Sequence, residues 1–199
     1  MRKLYSHPLS GHSHKARLFL SFLGLEYEEI TVDVVAGKQN EPEFRALNPK
    51  GTVPVLVEDD VTIYDSHAIL TYLARKHGGE DWLPTTPVEM AKVMQWISFS
   101  ANEIHHGLNL ARLNFLLDLK LPNIEALQEQ SNKTLALLDA HLADREWLEL
   151  GRPTIADVAC FPYVGLGREA KVPLDDHKNV IAWIERVKAR PNFVSMPGL

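Results

Sequence analysis

The segments patterned as β-strands all lie in the first third of this 199-residue chain. Residues 27–34 end in a period-two alternation of apolar and polar side chains, which is typical of a strand. Residues 15–23 instead repeat apolar side chains at helical spacing and stop at Gly24. Beyond residue 87 every apolar pattern has the helical period. We therefore expect a small sheet-containing half followed by an all-helical half.

A proline- and threonine-rich segment separates the two halves. It runs Pro-Thr-Thr-Pro over residues 84–87, a composition that marks a linker. We predict an N-terminal domain over residues 1–79, a linker over residues 80–86 and a C-terminal domain over residues 87–199. In the N-terminal domain, the order strand–helix–strand, helix, strand–strand–helix predicts an α/β fold that begins with a βαβ unit and closes with a hairpin.

Composition excludes several classes of protein. Hydrophobic residues make up 45% of the chain and charged residues 24%, which is typical of a globular rather than a disordered protein. The net charge of −5, without a long run of like charges, argues against nucleic acid or an anionic membrane as the main partner. No stretch approaches the ~20 apolar residues that a membrane-spanning helix needs. We therefore expect a cytoplasmic protein.

The cysteine and histidine content argues against redox-pair and metal sites. Cys160 is the single cysteine, so an internal disulfide, a Cys-x-x-Cys pair and a cysteine-rich zinc site are excluded. Its apolar surroundings, residues 158–164, predict an inert core thiol. His12 and His14 are two residues apart, a spacing that points side chains in different directions on a helix. No metal site is expected.

The segment most informative about function is Asn48–Leu56, which reads Asn-Pro-Lys-Gly-Thr-Val-Pro-Val-Leu. Pro54 cannot donate a ladder hydrogen bond, so it marks a strand start, an edge or a special turn. A cis bond before it would turn the backbone N–H and C=O of Val53 outward, toward an extended peptide. Asp65 and Ser66 follow where a strand passes into a helix, a place that suits a carboxylate and an ammonium group. A γ-glutamyl tripeptide is one ligand that needs all of these features. The plainer alternative is a strand-edge proline and a simple helix cap.

This combination resembles the glutathione site of cytosolic glutathione transferases. The run Thr154-Ile155-Ala156-Asp157 resembles the capping box of that family's second domain, so the similarity spans essentially the whole chain. The resemblance implies a thioredoxin-like N-terminal domain, an all-α C-terminal domain, glutathione as cosubstrate, a small electrophilic substrate and a homodimer. It implies that the Val53 backbone, next to Pro54, binds the cysteinyl unit, and that Asp65 and Ser66 bind the γ-glutamyl group. Lys50, with Gln39 or Lys38, would hold the glycine carboxylate.

The catalytic group is expected just after the first strand. A free thiol has a pKa near ~8.5, and a hydroxyl donor at the positive end of a helix favours the thiolate. The loop His7-Pro8-Leu9-Ser10-Gly11 resembles that of the serine-type families, which assigns the role to Ser10. Ser13 is a nearby rival, and the alternative role for Ser10 is that of an N-cap.

Three further residues are candidates for the electrophile site. The segment around His105 is similar to one in bacterial cysteine-type transferases, where the matching histidine faces glutathione. This chain has Ser10 where those families have cysteine, so a partly buried interdomain histidine is the alternative. Arg112 lies on the same helix flank, and His12 lies in the active-site loop.

The sequence leaves the reaction open. The site suits conjugation of the glutathione thiolate to an electrophile, but also glutathione-dependent disulfide or peroxide reduction, isomerisation or dehalogenation. A non-catalytic binding protein with the same fold is a third possibility. The joint presence of Lys50, Val53, Pro54, Asp65 and Ser66 argues against it, because a protein that had lost glutathione need not keep them.

Overall fold

A four-stranded mixed sheet organises the N-terminal half. The structure is a computed structural model that describes residues 1–199. The strands are β1 (Arg2–Ser6), β2 (Glu28–Thr31), β3 (Val55–Glu58) and β4 (Val61–Tyr64). Their order is β2-β1-β3-β4, with β1 parallel to β2 and the other two pairs antiparallel. The predicted βαβ unit and closing hairpin are confirmed.

Four helices accompany the sheet. They are α1 (Gly11–Phe22), α2 (Pro42–Leu47), α3 (Ser66–Leu73) and α4 (Gly79–Trp82). Helix α1 begins four residues earlier than the apolar spacing predicts, because Ser10 caps it and Gly11 fits where no larger residue does. A Cβ at Gly11 would lie 2.7 Å from ring atoms of Tyr163, so the C-terminal half packs directly on the start of α1.

The C-terminal half is entirely helical, as predicted. Its helices are α5 (Pro87–Phe99), α6 (Leu110–Leu116), α7 (Ile124–His141), α8 (Ile155–Gly165) and α9 (Lys178–Lys188). Residues 100–109 join α5 to α6 in π-helical geometry, so residues 87–116 form one continuous helix. Such π-helical segments occur frequently at functional sites, and this one contains His105.

The predicted capping box at the start of α8 is present. The hydroxyl of Thr154 accepts a hydrogen bond from the backbone N–H of Ala156, and the carboxylate of Asp157 accepts one from the N–H of Thr154 at 2.9 Å. The other oxygen of Asp157 accepts from the N–H of Leu148 at 3.1 Å and from the indole N–H of Trp183 at 2.9 Å. One buried carboxylate therefore ties α8 to α9 and to the preceding loop.

One apolar core runs through both halves. Phe19 of α1, Ile104 of the long helix and Phe161 of α8 belong to the same cluster. Cys160 is fully buried in it, and burial raises the pKa of its thiol, as expected of a core cysteine. None of the helices combines the length and the apolar character needed to cross a membrane.

Candidate active site

The N-terminus of α1 forms the first wall of the site. The hydroxyl oxygen of Ser10 accepts a hydrogen bond from the N–H of Ser13 at 3.1 Å, which caps the helix. Accepting that bond leaves the hydroxyl proton of Ser10 available as a donor. The Ser13 side chain is fully buried, and its oxygen accepts from the N–H of His7 at 3.2 Å. Ser10 lines a cleft and Ser13 does not, so the geometry favours Ser10 over Ser13 as the hydrogen-bond donor to a bound thiol.

The turn into β3 and the start of α3 form the second wall. The Val53–Pro54 peptide bond is cis. Asp65 caps α3 with one carboxylate oxygen, which accepts from the N–H groups of His67 and Ala68 at 2.9 and 3.1 Å. Its backbone has φ of 77°, a value that residues other than glycine rarely adopt and that is common at functional sites. This conformation sets Asp65 and Ser66 at the edge of a cleft.

A smaller cleft lies between these walls, with a volume of about 270 Å³. It brings together most of the residues that the sequence predicts for glutathione. Its lining is His12, Lys50, Thr52, Val53, Pro54, Asp65, Ser66 and His105. Segments that are far apart in the sequence, the active-site loop, the turn before β3, the start of α3 and the long helix, therefore converge on one cavity.

A larger cleft of about 350 Å³ adjoins the smaller one. The two share His12, Thr52, Val53 and His105 as lining residues. Apolar side chains from both halves of the chain form much of the wall of the larger cleft: Leu9, Val34, Val35, Leu113, Leu116 and Leu117. Ser10, Gln39, Arg112 and Tyr163 also line it. A polar cavity thus opens directly into a mostly apolar one.

His12 and His105 lie at the junction of the two clefts, and Tyr163 of the larger cleft lies beside them. The ring of His12 lies 5.5 Å from that of His105 and 5.0 Å from that of Tyr163, and the backbone N–H of His12 donates to the Tyr163 hydroxyl at 3.2 Å. Nδ1 of His12 is 3.2 Å from the hydroxyl of Ser66. Burial, aided by Lys15, holds the pKa of His12 well below 6.5, so its imidazole is neutral near pH 7.

Two models of protein domain families match this chain. A model of the glutathione S-transferase N-terminal domain matches residues 9–76, and a model of the glutathione S-transferase C-terminal domain matches residues 90–191. The chain belongs to the glutathione S-transferase family. The α/β N-terminal half and the helical C-terminal half are the fold of that family, and the enzyme class predicted from the sequence is confirmed.

Individual relatives agree with the family assignment. The chain is 33% identical to glutathione S-transferase 3 of Zea mays, over 96% of this chain and 90% of the relative. It is 30% identical to the disulfide-bond oxidoreductase YfcG of Escherichia coli, over 96% of this chain and 92% of the relative. The crystal structure of a glutathione S-transferase from Pseudomonas fluorescens superposes with a TM-score of 0.92 at 30% identity, covering 98% of both chains.

Gln39 and Lys38 do not line the smaller cleft. Gln39 lines the larger cleft rather than the smaller one that contains Lys50. Lys38 forms an exposed ion pair with Glu41 at 2.6 Å and lines neither cleft. Of the three side chains considered for the glycine carboxylate, only Lys50 lines the smaller cleft.

Arg112 serves a structural purpose as well as lining the larger cleft. It is 2% exposed, and its Nε lies 2.5 Å from a carboxylate oxygen of Glu169. Its Nη1 donates to the backbone carbonyl of Leu9 at 2.8 Å, which fixes the loop that carries Ser10. The remaining nitrogen, Nη2, is buried without a hydrogen-bond partner.

No group of three or more His, Cys, Asp or Glu side chains is arranged to hold a metal ion.

The sequence does not predict where two residues near the site lie in the fold. Tyr163 lies in the apolar run of α8 and looks like ordinary core, yet its hydroxyl reaches the active-site loop. Lys15 lies on α1 with the pattern of a surface position, yet it is fully buried. Its ammonium group is 3.0 Å from Nε2 of His67 and 3.0 Å from the hydroxyl of Ser100. Neither position carries a local signal that predicts this placement.

Proposed function

We propose that the protein binds glutathione in the smaller cleft and directs its thiolate at an electrophile held in the larger cleft. The observation that carries the proposal is the shared boundary of the two clefts. A cysteinyl unit bound along Val53 would place its sulfur near this boundary, within reach of Ser10 and open to the apolar cavity. The domain limits at residues 79 and 87, the homodimer and the cytoplasmic location belong to the same proposal.

Each part of glutathione has a matching group in the smaller cleft. The N–H and C=O of Val53, beside Pro54, pair with the backbone of the cysteinyl unit. Ser66 donates its hydroxyl to the γ-glutamyl carboxylate, which also lies at the positive end of α3. The oxygen of Asp65 not used for capping accepts from the γ-glutamyl ammonium group. Lys50 pairs with the glycine carboxylate, and Gln39 contacts the ligand from the larger cleft.

Ser10 stabilises the ionised sulfur. Its hydroxyl donates a hydrogen bond to the thiolate while its oxygen accepts the N–H of Ser13, so capping and catalysis use different atoms of one side chain. The thiol proton leaves to solvent, and a sulfur lone pair forms the new bond to the electrophile. In a substitution the leaving group departs with its electron pair; in an addition the π electrons of the activated alkene shift to its electron-withdrawing group and take up a proton from solvent. His12 and His105, which line both clefts, and Arg112, which lines the larger one, would face the electrophile.

The wall of the larger cleft favours an apolar electrophile. Seven aliphatic side chains line it, counting the shared Val53, so burying an aromatic or alkyl group there gains roughly 25 cal/mol for each Å² removed from water. Conjugation of an aryl halide or an activated alkene is therefore the leading reaction. Isomerisation, dehalogenation and peroxide reduction remain alternatives that use the same thiolate.

Disulfide reduction is the second candidate, and the similarity to the oxidoreductase YfcG favours it. The single cysteine is buried, with the pKa of its thiol raised, so it is unsuited to thiol exchange. Glutathione itself would supply both thiols. One glutathione thiolate attacks a mixed disulfide, releases the substrate thiol and leaves oxidised glutathione, so atoms and electrons balance without a protein cysteine.

Glutathione-affinity retention followed by two activity assays tests the proposal. Conjugation of chlorodinitrobenzene and reduction of a glutathione mixed disulfide are measured on the same preparation. Retention with conjugation supports the leading reaction, and retention with disulfide turnover alone supports the second. A protein that binds no glutathione contradicts both. Sedimentation at micromolar concentration tests the homodimer separately.

A further inference from the structure

Lys15 is a buried ammonium group without a carboxylate partner. It is fully buried in α1 and takes part in no salt bridge. Its three neighbours are neutral groups: Nε2 of His67 at 3.0 Å, the hydroxyl of Ser100 at 3.0 Å and the ring of Tyr163, whose centroid is 5.6 Å away. Burying such a charge costs several kcal/mol unless something compensates it.

The cage around Lys15, formed by His67, Ser100 and Tyr163, presents groups that stabilise a cation. The hydroxyl of Ser100 donates to the backbone carbonyl of Ala159 at 2.7 Å, which turns its lone pairs toward the ammonium group. Nε2 of His67 must accept from the ammonium, which places the imidazole proton on Nδ1. Residues from α3, the long helix and α8 thus surround the ammonium group of Lys15. Burial lowers its pKa from 10.5 to about 8, so it is mostly protonated near pH 7.

This charge lies one layer behind the residues that line the clefts. His67 is adjacent in the chain to Ser66, which lines the smaller cleft, and Tyr163 lines the larger one. The charge of Lys15 contributes to lowering the pKa of His12, His67 and His105, in each case behind burial as the main cause. A field that disfavours a proton on these imidazoles favours a negative charge on a sulfur atom beside them.

Most titratable groups around Lys15 are neutral, and the other buried cation near the site is Arg112, which lines the larger cleft and is paired with Glu169. The titratable groups come from α1, the start of α3, the long helix and α8: His12, Asp65, His67, His105, Cys160 and Tyr163. Burial raises the pKa of the Cys160 thiol and the Tyr163 hydroxyl and lowers that of the histidines, so these five are neutral near pH 7. Asp65 is the one anion, and it is exposed and bonded to backbone N–H groups.

We propose that Lys15 is a positioning residue for the reaction: its buried ammonium group, held by His67 and Ser100 behind the cleft wall, is the charge that bound glutathione compensates when its thiol ionises. The inference rests on the proposed function. Ser10 touches the sulfur, whereas Lys15 acts through the field that it creates across the site. In the free enzyme neutral groups surround the ammonium group, and the thiolate of bound glutathione supplies the opposite charge.

Titration of the bound glutathione thiol tests the proposal, using the ultraviolet absorbance of the thiolate. The variant is Lys15→Met, which keeps the length of the side chain and removes the charge. A charge buried near the site shifts the pKa of the thiol by about one unit, so Lys15→Met leaves roughly tenfold less thiolate at neutral pH. Lys92→Met removes the same charge from an exposed position outside both clefts and is expected to change nothing.

Stability separates an electrostatic role from a structural one. Replacing a buried charge with an apolar side chain of similar volume is often neutral or stabilising, so Lys15→Met is expected to unfold at the same or a higher temperature while its thiolate is weakened. If Lys15→Met does not fold, Lys15→Gln, which keeps a donor for Ser100, carries the test. An unchanged thiol titration in a variant that binds glutathione overturns the proposal. Absence of glutathione binding in the unmodified enzyme would instead refute the proposed function.

Discussion

Replacing Asp157 with alanine removes the acceptor of three buried N–H donors at once. The N–H groups of Leu148 and Thr154 and the indole N–H of Trp183 all donate to its carboxylate, at 3.1, 2.9 and 2.9 Å. Each buried donor left without an acceptor costs about 1–3 kcal/mol. Burial raises the pKa of Asp157, so part of the loss is offset when the desolvated carboxylate is removed. The net change in the free energy of unfolding is about 3–5 kcal/mol, a large share of the ~5–15 kcal/mol of a typical domain.

Two milder substitutions calibrate this expectation. Thr154→Ala removes only the cap hydroxyl and should cost about 1 kcal/mol. Asp157→Asn keeps one carbonyl oxygen for Leu148 and Trp183 and should fall between the two. Urea denaturation followed by circular dichroism, at one fixed protein concentration, gives all three values. If Asp157→Ala loses less than Thr154→Ala, the carboxylate does not join α8 to α9 as described.

Two further predictions concern ligand affinity and acid stability. Ser66→Ala should weaken glutathione binding about tenfold or more, because a hydrogen bond to a carboxylate contributes about 1.5–3 kcal/mol, and an unchanged Kd by calorimetry would exclude that contact. His14 is fully buried with neither ring nitrogen bonded, and burial lowers its pKa from 6.5 to about 3. Between pH 6.5 and 3, His14 is therefore protonated in the unfolded chain but neutral in the folded protein. The free energy of unfolding is highest above pH 6.5 and decreases as the pH falls toward 3. His14→Phe should reduce this acid sensitivity by about 1.4 kcal/mol per pH unit between pH 6 and 4, and denaturation curves with identical pH slopes would contradict it.

Features that depend on a few adjacent residues could be predicted from the sequence. The capping box at Thr154 and Asp157 follows from bonds that span three residues, and the Asn48–Leu56 motif with Asp65 and Ser66 marks one cleft because its parts flank a single hairpin. Apolar spacing predicts a start of α1 at Lys15, whereas the helix begins at Gly11, after its cap Ser10. A cap is set by hydrogen bonding and not by periodicity.

Features that depend on tertiary packing could not be predicted. The cage of Lys15 draws on His67, Ser100 and Tyr163, which only the completed fold brings together. The placement of Gln39 in the larger cleft depends on the path of the segment before α2, which no local pattern specifies. A buried lysine and a surface lysine have the same sequence signal until their neighbours are known.

The most direct test of the active-site account is the titration of enzyme-bound glutathione in the unmodified enzyme, Ser10→Ala and Ser13→Ala. Each variant loses one hydrogen bond near the start of α1, so Ser13→Ala controls for the loss of such a bond. We predict that the bound thiol has a pKa below the ordinary ~8.5, that Ser10→Ala raises it by about 1–2 units with similar glutathione affinity, and that Ser13→Ala leaves it unchanged. A shift in Ser13→Ala with none in Ser10→Ala, or a bound thiol of ordinary pKa, would contradict this account.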